Sequence, residues 1–68
     1  MSNVFEGLNT SERIKGILSS RGKTQGDLSR LLNMTQATIS GRMKDNKWEV
    51  EELKIIAAEF GILPTDLI

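Results

Sequence analysis

The segment from Thr35 to Lys47 combines three kinds of side chain that suit contact with duplex DNA. The amide of Gln36 can pair with both N6 and N7 of adenine in the major groove. Ala37 and Thr38 are small, and their methyl groups can touch a thymine methyl. Three cations follow that can bind phosphates: Arg42, Lys44 and Lys47. The combination indicates a nucleic-acid-binding surface, whereas each residue taken singly is equally typical of solvated surface.

Two further small residues, Ser40 and Gly41, are expected on or near the exposed face of this segment. Glycine inside a helix lowers stability by about 1 kcal/mol relative to alanine. Close approach of the backbone to DNA is one reason to accept that cost at Gly41, and a helix end at this point is another. The role of Ala37 likewise has two interpretations, because its side chain can either approach a groove or fill a helix crossing.

The composition argues against catalysis and metal binding. The chain contains no histidine, no cysteine and no tyrosine. Zinc would have only carboxylate ligands, and the commonest general base is missing. Serine and threonine have no adjacent base to activate them. We therefore expect a protein that is not an enzyme and holds no metal or cofactor.

The length of 68 residues allows one compact domain. Formal net charge is zero, but its distribution is uneven. Residues 1–48 carry eight basic and four acidic side chains, and residues 49–68 carry one basic and five acidic ones. Such asymmetry is compatible with a basic binding face or with ordinary solvated surface. No apolar run is long enough to span a bilayer, and the N-terminus does not resemble a signal peptide, so we expect a cytoplasmic protein.

Capping patterns predict the first two helices. Asn9 with Glu12 three residues later predicts a capping box, and Gly22 predicts the end of that helix. Thr24 with Asp27 predicts the start of a second, short helix. Asn33 predicts its end, because asparagine tolerates the left-handed conformation.

Three later elements follow from similar patterns. Thr35 predicts the start of a third helix, which is expected to run to about Met43 and to be followed by a polar loop over 44–47. A fourth helix over 50–60, closed by Gly61, is predicted by apolar residues that fall on one face, namely Val50, Leu53, Ile56, Ala57 and Phe60. Pro64 predicts a short last helix. Since no segment alternates as a strand does, the fold expected is a compact all-α bundle of four to five helices, with an N-terminal arm over 1–8 and one domain over 9–68.

Two short helices joined by a tight turn at 33–35 have the layout of a helix-turn-helix, in which the second helix enters the major groove. In this region the sequence resembles the lambda-repressor-like (Cro/C1-type) helix-turn-helix family. The resemblance covers about residues 10–68 and is carried by Thr24-Gln25, Leu28, Ser29, Asn33 (where the family usually has glycine), Met34, Thr35-Gln36, Thr38-Ile39-Ser40, Leu53 to Gly61, and Leu63 to Ile68. It implies sequence-specific binding of operator DNA by a phage or bacterial repressor.

The resemblance also implies roles for individual residues. The helix over about 35–43 becomes the recognition helix, and Gln25 would contact a phosphate and buttress Gln36. Thr35 would offer its hydroxyl and nearby N–H groups to a phosphate. Gly41-Arg42 departs from the family, since many relatives have a basic residue followed by a large apolar one. Lys44-Asp45 likewise replaces the common Asn-Gly.

A single recognition helix reads few base pairs, so the family habit of binding as a homodimer is expected here too. Apolar residues left over for that contact are Val4, Phe5, Leu8, Ile55, Ala58, Ile62, Leu63, Leu67 and Ile68. Leu63 and Leu67 could instead close the core of the monomer, and the chain could be the DNA-binding part of a longer repressor. An alternative function is a protein-interaction module on the same fold, resembling an antirepressor or an antitoxin. Trp48 is expected to cover the open end of the bundle rather than to stack on a base.

Overall fold

The computed structural model of the chain describes residues 8–68, and every regular element in that range is helical. The elements are α1 (Thr10–Ser20), α2 (Gln25–Leu32), α3 (Gln36–Asp45), α4 (Val50–Phe60) and a C-terminal 3₁₀ helix (Pro64–Leu67). This confirms the all-helical class, with no strand in residues 8–68. No helix in the same range has the length and apolar character needed to cross a membrane.

The predicted helix starts are confirmed by side-chain caps. Asn9 Oδ1 accepts the N–H of Glu12 at 2.8 Å, and the Glu12 carboxylate accepts the N–H of Asn9 at 3.3 Å. Thr24 and Asp27 form the same reciprocal pair at the start of α2. Thr35 Oγ1 accepts the N–H of Thr38 at the start of α3. These bonds satisfy amide groups that have no partner within the helix.

The end of α3 differs from the prediction. The helix continues through Lys44 and Asp45, so the polar loop begins two residues later than expected. Asn46 supplies the reason, because it adopts the left-handed conformation with φ 54° and ends the helix as Asn33 does for α2. Gly41 consequently lies inside α3 rather than at its end.

The core lies where α1, α2, α4 and the 3₁₀ helix meet the inner side of α3. α2 packs against α3 and α4, while α1 packs against α3 and the 3₁₀ helix. The buried apolar residues are Ile14, Leu18, Leu28, Ile39, Leu53, Ile56, Ala57, Phe60 and Leu67. α3 contributes a single member to this set, Ile39, which leaves most of its surface outside the core.

Several predicted apolar positions lie elsewhere than expected. Val50 was expected on the buried face of α4 but is 64% exposed at the first position of that helix, while the half-buried Trp48 packs against the core. The packing of Trp48 against the core agrees with the prediction that it covers the bundle. Leu67 is fully buried and closes the monomer's own core, whereas Leu63 is exposed. Of the predicted N-terminal arm, only Leu8 is described; Val4 and Phe5 lie outside the described residues.

Candidate nucleic-acid interface

The outward face of α3 gathers most of the residues predicted to contact DNA. Ile39 is fully buried and fixes the inner side of the helix. The helical period of 3.6 residues therefore turns Ala37, Gly41 and Lys44 toward solvent. Exposed positions along α3 are Gln36, Ala37, Thr38, Ser40, Lys44 and Asp45. Exposure of Ala37 excludes the alternative that it fills a helix crossing.

Gln36 and Gln25 meet at the junction of α2 and α3, but not in the predicted way. The Gln36 amide nitrogen lies 3.4 Å from the point where a side chain on Gly26 would begin, so the amide rests on the first turn of α2. Gln25 Oε1 accepts a hydrogen bond from Ser40 Oγ at 3.3 Å. Gln25 thus buttresses Ser40, whereas Gln36 is supported by the backbone surface at Gly26.

Thr35 and Thr38 form a pair at the N-terminus of α3. Their hydroxyl oxygens are 2.9 Å apart, and Thr35 Oγ1 also accepts the Thr38 N–H at 3.2 Å. Both hydroxyls are exposed. Either hydroxyl can be the donor in this pair, so the first turn of α3 presents two linked hydroxyl groups next to Gln36.

Asp27 places a negative charge at the N-terminus of α2. The backbone N–H of Thr24 donates to its carboxylate at 2.8 Å and holds the pKa of Asp27 below its ordinary value of 3.8. The Thr24 hydroxyl and the Arg30 guanidinium lower the pKa further. Because this carboxylate already occupies the α2 N-terminus, a phosphate there would meet charge repulsion as well as N–H donors.

We expect acid to weaken the fold in part through Asp27. A carboxyl whose pKa is depressed in the folded state stabilises the fold above its unfolded pKa and loses that contribution as pH falls through the folded pKa. The loss should therefore set in below about pH 4, where the unfolded carboxyl begins to bind its proton. Thermal unfolding of wild type and Asp27→Asn between pH 6 and pH 2 measures this, and the variant should show the shallower decline.

The control for this titration is Asp45→Asn, which changes an exposed carboxyl that accepts no hydrogen bond within residues 8–68. A decline as shallow in Asp45→Asn as in Asp27→Asn would assign the effect to the loss of one negative charge rather than to the bonds of Asp27. An Asp27→Asn curve parallel to that of wild type throughout the acid range would contradict the proposed contribution of Asp27.

The three cations predicted to bind phosphates fall into two groups. Lys44 and Lys47 are exposed and form no ion pair within residues 8–68. Arg42 is bound internally: its Nη2 lies 3.0 Å from Glu52 Oε2, and its Nη1 donates to the Lys47 carbonyl oxygen at 3.2 Å. The structure thus leaves the two lysines available to a ligand and commits the arginine to the fold.

Arg42 belongs to a cluster that we call the polar junction, formed by Ser11, Arg42, Asn46, Trp48 and Glu52. The Ser11 N–H donates to Asn46 Oδ1 at 2.9 Å, and Ser11 Oγ donates to the Arg42 carbonyl oxygen. Trp48 Nε1 donates to Ser11 Oγ at 2.9 Å. These bonds join the start of α1 to the end of α3 and to the loop before α4.

Glu52 anchors the junction from α4. Its side chain is 8% exposed, and its carboxylate accepts both the Arg42 guanidinium and the Glu49 N–H at 2.9 Å. The sequence does not predict this role. One available sign is the spacing of Glu52 from Ile56 and Phe60, since positions four and eight residues apart share the buried face of a helix. Because Glu52 holds Arg42, and Arg42 donates to the Lys47 carbonyl oxygen, the polar junction fixes the position of the Lys47 backbone at the end of α3.

A hollow of about 290 Å³ opens on the outer side of α3, beside the polar junction. We call it the α3 hollow, and it is lined by Thr38, Gly41, Arg42, Asp45 and Lys47. It is continuous with the exposed face of α3, because Thr38 and Gly41 belong to both. Four of the ten residues predicted to contact DNA thus line the hollow, namely Thr38, Gly41, Arg42 and Lys47.

Comparison of the chain with known protein families, characterised proteins and solved structures finds no match. The functional interpretation therefore depends on the arrangement of α2 and α3 and on the side chains that they expose.

Proposed function

We propose that the chain binds double-stranded DNA in a sequence-specific manner through a helix-turn-helix formed by α2 and α3, and acts as a transcriptional regulator. The observation that carries the proposal is the outward face of α3. An ordinary surface helix buries a broad apolar stripe, but α3 buries only Ile39 and half-buries Met43. Apart from Arg42, which pairs with Glu52, and the exposed Asp45 carboxylate at its last position, the other side chains of α3 present amide, hydroxyl, methyl and ammonium groups. These are groups that read base edges and phosphates.

The dimensions of α3 support insertion into the major groove. A helix with its side chains is roughly 10–12 Å across, and the major groove of B-DNA is about 12 Å wide. Small residues at positions 37, 40 and 41 keep the outward face of α3 narrow. The helix can therefore approach base edges without large side chains holding it away.

Base and phosphate contacts can be assigned along this surface. Gln36 lies at the N-terminal end of α3, where recognition helices contact base edges, and its amide suits adenine. Lys44 and Lys47 lie near the other end, where they can bind phosphates on the groove wall. The phosphate contact that the resemblance implies for Gln25 is left to its amide nitrogen, because Oε1 accepts from Ser40. This contact has to overcome repulsion from the Asp27 carboxylate at the same helix N-terminus. Arg42 is assigned to the fold because Glu52 neutralises its charge.

A homodimer and a role as a phage or bacterial repressor complete the proposal, and both depend on the resemblance to the lambda-repressor-like family. Ile55, Leu63 and Ile68 are exposed apolar residues on α4 and the C-terminal segment. They are the candidate contact with a second copy of the chain, and such a dimer would have to present its two recognition helices to half-sites about 34 Å apart. The operator expected for such a dimer is a palindrome.

Selection from a random duplex pool, followed by fluorescence anisotropy on the enriched duplex over a series of salt concentrations, tests the proposal. A palindromic motif, a steep salt dependence and a large ratio of specific to random affinity are expected. A single half-site would support DNA binding by a monomer. Absence of enrichment together with absence of binding at low salt would contradict DNA binding.

Replacing Gln36 with alanine should weaken binding to the selected duplex by about 1–3 kcal/mol and relax preference at one base pair. The reason is loss of a bidentate amide contact, which only the correct base satisfies. Anisotropy against the selected duplex and its single-base variants measures both effects. Ser19→Ala, an exposed change on α1, is the control and should leave affinity unchanged. Unaltered specificity in the Gln36 variant would remove α3 from the role of recognition helix.

A second candidate function is a protein-interaction module, and the C-terminal surface favours it. Leu63 and Ile68 are exposed, Ile68 by 74% of its surface. Residues 49–68 around them carry five acidic side chains against one lysine. An apolar surface with acidic neighbours suits a basic protein partner. Failure of the duplex selection, with tight binding to such a partner, would establish this alternative.

A further inference from the structure

Gly41 lies in the interior of α3, where the fold gives no reason for glycine. Positive φ among the glycines of residues 8–68 occurs only at Gly22 and Gly61, so the backbone at Gly41 suits any residue. A side chain added there would meet nothing within 4 Å. Glycine weakens a helix relative to alanine at such a position. Neither backbone conformation nor packing accounts for the residue.

The α3 hollow can account for the glycine at position 41, because Gly41 lines it. Absence of a side chain at this position keeps the hollow open on the outward face of the helix. Its volume of about 290 Å³ is close to the lower end of small-molecule sites, roughly 300 Å³. The hollow can therefore admit one small unit of a larger ligand.

The charges around the hollow indicate what that unit is. Lys47 contributes one positive charge that no acidic group within residues 8–68 pairs. Asp45 contributes a negative charge at the same rim, and the charge of Arg42 is taken up by Glu52. A fully anionic ligand would be attracted by Lys47 and repelled by Asp45. A unit with one anionic end and one neutral end fits better, and a deoxyribose with its phosphate has this character.

We propose that the α3 hollow receives one sugar–phosphate unit of a DNA strand at the wall of the major groove, with the phosphate on Lys47 and the sugar against Gly41. This rests on the proposed DNA-binding function and makes Gly41 a positioning residue that sets how closely α3 approaches the groove. Gly41 lies five residues beyond Gln36, about 7.5 Å along the helix axis. A larger side chain at position 41 therefore also moves Gln36 away from the base edges.

The experiment compares Gly41→Ala with Gly16→Ala. Gly16 is the control, since it also lies inside a helix and has nothing within 4 Å of an added side chain, although it is exposed whereas Gly41 is half-buried. Both variants should melt roughly 4–8 °C above wild type. Binding to the duplex selected by wild type should fall at least about tenfold in Gly41→Ala, a loss of about 1.4 kcal/mol, and stay unchanged in Gly16→Ala. A more stable variant that binds less tightly cannot owe its loss to unfolding.

Salt dependence separates the two parts of the proposal. Gly41→Ala and the larger Gly41→Leu change no charge, so affinity should fall with side-chain size while the slope of log affinity against log salt stays at the wild-type value. Lys47→Ala should instead reduce the magnitude of that slope by about one. Together these results would show a steric limit at Gly41 beside a phosphate contact at Lys47.

Failure of this inference can be told apart from failure of the proposed function. If wild type binds its selected duplex and Gly41→Leu binds it equally well, the α3 hollow is empty in the complex and only the inference is overturned. Equal losses in Gly16→Ala and Gly41→Ala would also overturn it, because the effect would not be local. If wild type enriches no duplex, both the proposed function and the inference are overturned.

Discussion

Replacement of Glu52 with alanine should lower the melting temperature by more than about 10 °C. The substitution leaves Arg42, whose side chain is only 25% exposed, without its carboxylate partner. Breaking a buried ion pair in this way costs about 3–5 kcal/mol, and partial exposure of Arg42 places the cost near 3 kcal/mol. A core of this size supplies only about 3–5 kcal/mol in total. Circular dichroism at 222 nm during heating measures the shift.

Two further variants make the test specific. Glu51→Ala changes an exposed glutamate on the same turn, paired with Lys54 at 3.5 Å, and should shift the melting temperature little, since exposed pairs contribute under about 1 kcal/mol. The double variant Arg42→Met with Glu52→Leu removes both charges and should recover most of the stability. If Glu52→Ala has the same melting temperature as wild type, Glu52 does not anchor the polar junction.

Replacement of Asn46 with alanine should destabilise the fold by about 3 kcal/mol, for two separable reasons. Asn46 holds φ 54°, a conformation that costs alanine about 1–2 kcal/mol. Its Oδ1 accepts the N–H of the buried Ser11 at 2.9 Å. Loss of that acceptor leaves a buried donor unpaired, at a cost of about 1–3 kcal/mol. Urea unfolding gives the free energy of unfolding of each variant.

Two comparison variants measure the backbone part and the hydrogen-bond part of this cost separately. Asn46→Gly removes the acceptor but accepts the left-handed backbone, so it should lose only the hydrogen-bond part. Asn33→Ala tests the backbone part alone, because Asn33 has φ 55° and its side chain makes no hydrogen bond within residues 8–68. Equal free energies of unfolding for Asn33→Ala and Asn46→Ala would mean that the bond to Ser11 contributes nothing.

The elements that the sequence predicts well are those set by neighbouring residues. Asn9 with Glu12 and Thr24 with Asp27 begin helices through bonds that span three positions. Asn33 and Gly61 end helices through their own backbone preference. Such chemistry is contained in a window of a few residues, and tertiary packing did not override it here.

The features that the sequence predicts poorly depend on residues distant along the chain. Arg42 pairs with Glu52 ten positions later, and Asn46 caps a helix that begins 36 residues before it. Each of these side chains is polar, so composition alone places it on the surface. The prediction for Val50 is wrong in the opposite sense, since an apolar residue predicted to be buried is exposed. Apolar spacing within α4 cannot show that Trp48, outside the helix, packs against the core.

The candidate site lies between these cases. Exposure of α3 could be expected because the segment carries few apolar residues, and the exposed positions of Gln36, Thr38 and Lys44 agree with that expectation. The internal commitment of Arg42 could not be expected, since an arginine that binds phosphate and one that pairs with a buried carboxylate have the same local sequence. The α3 hollow depends on how the end of α3 and Lys47 meet in space.

The bonds of Ser11 also bear on the order in which the chain folds. They join positions 31 to 37 residues apart, about half the length of the chain, while α2 and α3 are separated by only three residues. Closing the longer loop costs more entropy, so the α2–α3 pair should assemble first and α1 should dock on it afterwards. Contacts that form after the transition state affect the rate of unfolding and hardly change the rate of folding. We therefore expect variants that lose the polar junction to unfold faster than wild type while folding at nearly the same rate, so the junction would prolong the lifetime of the folded domain.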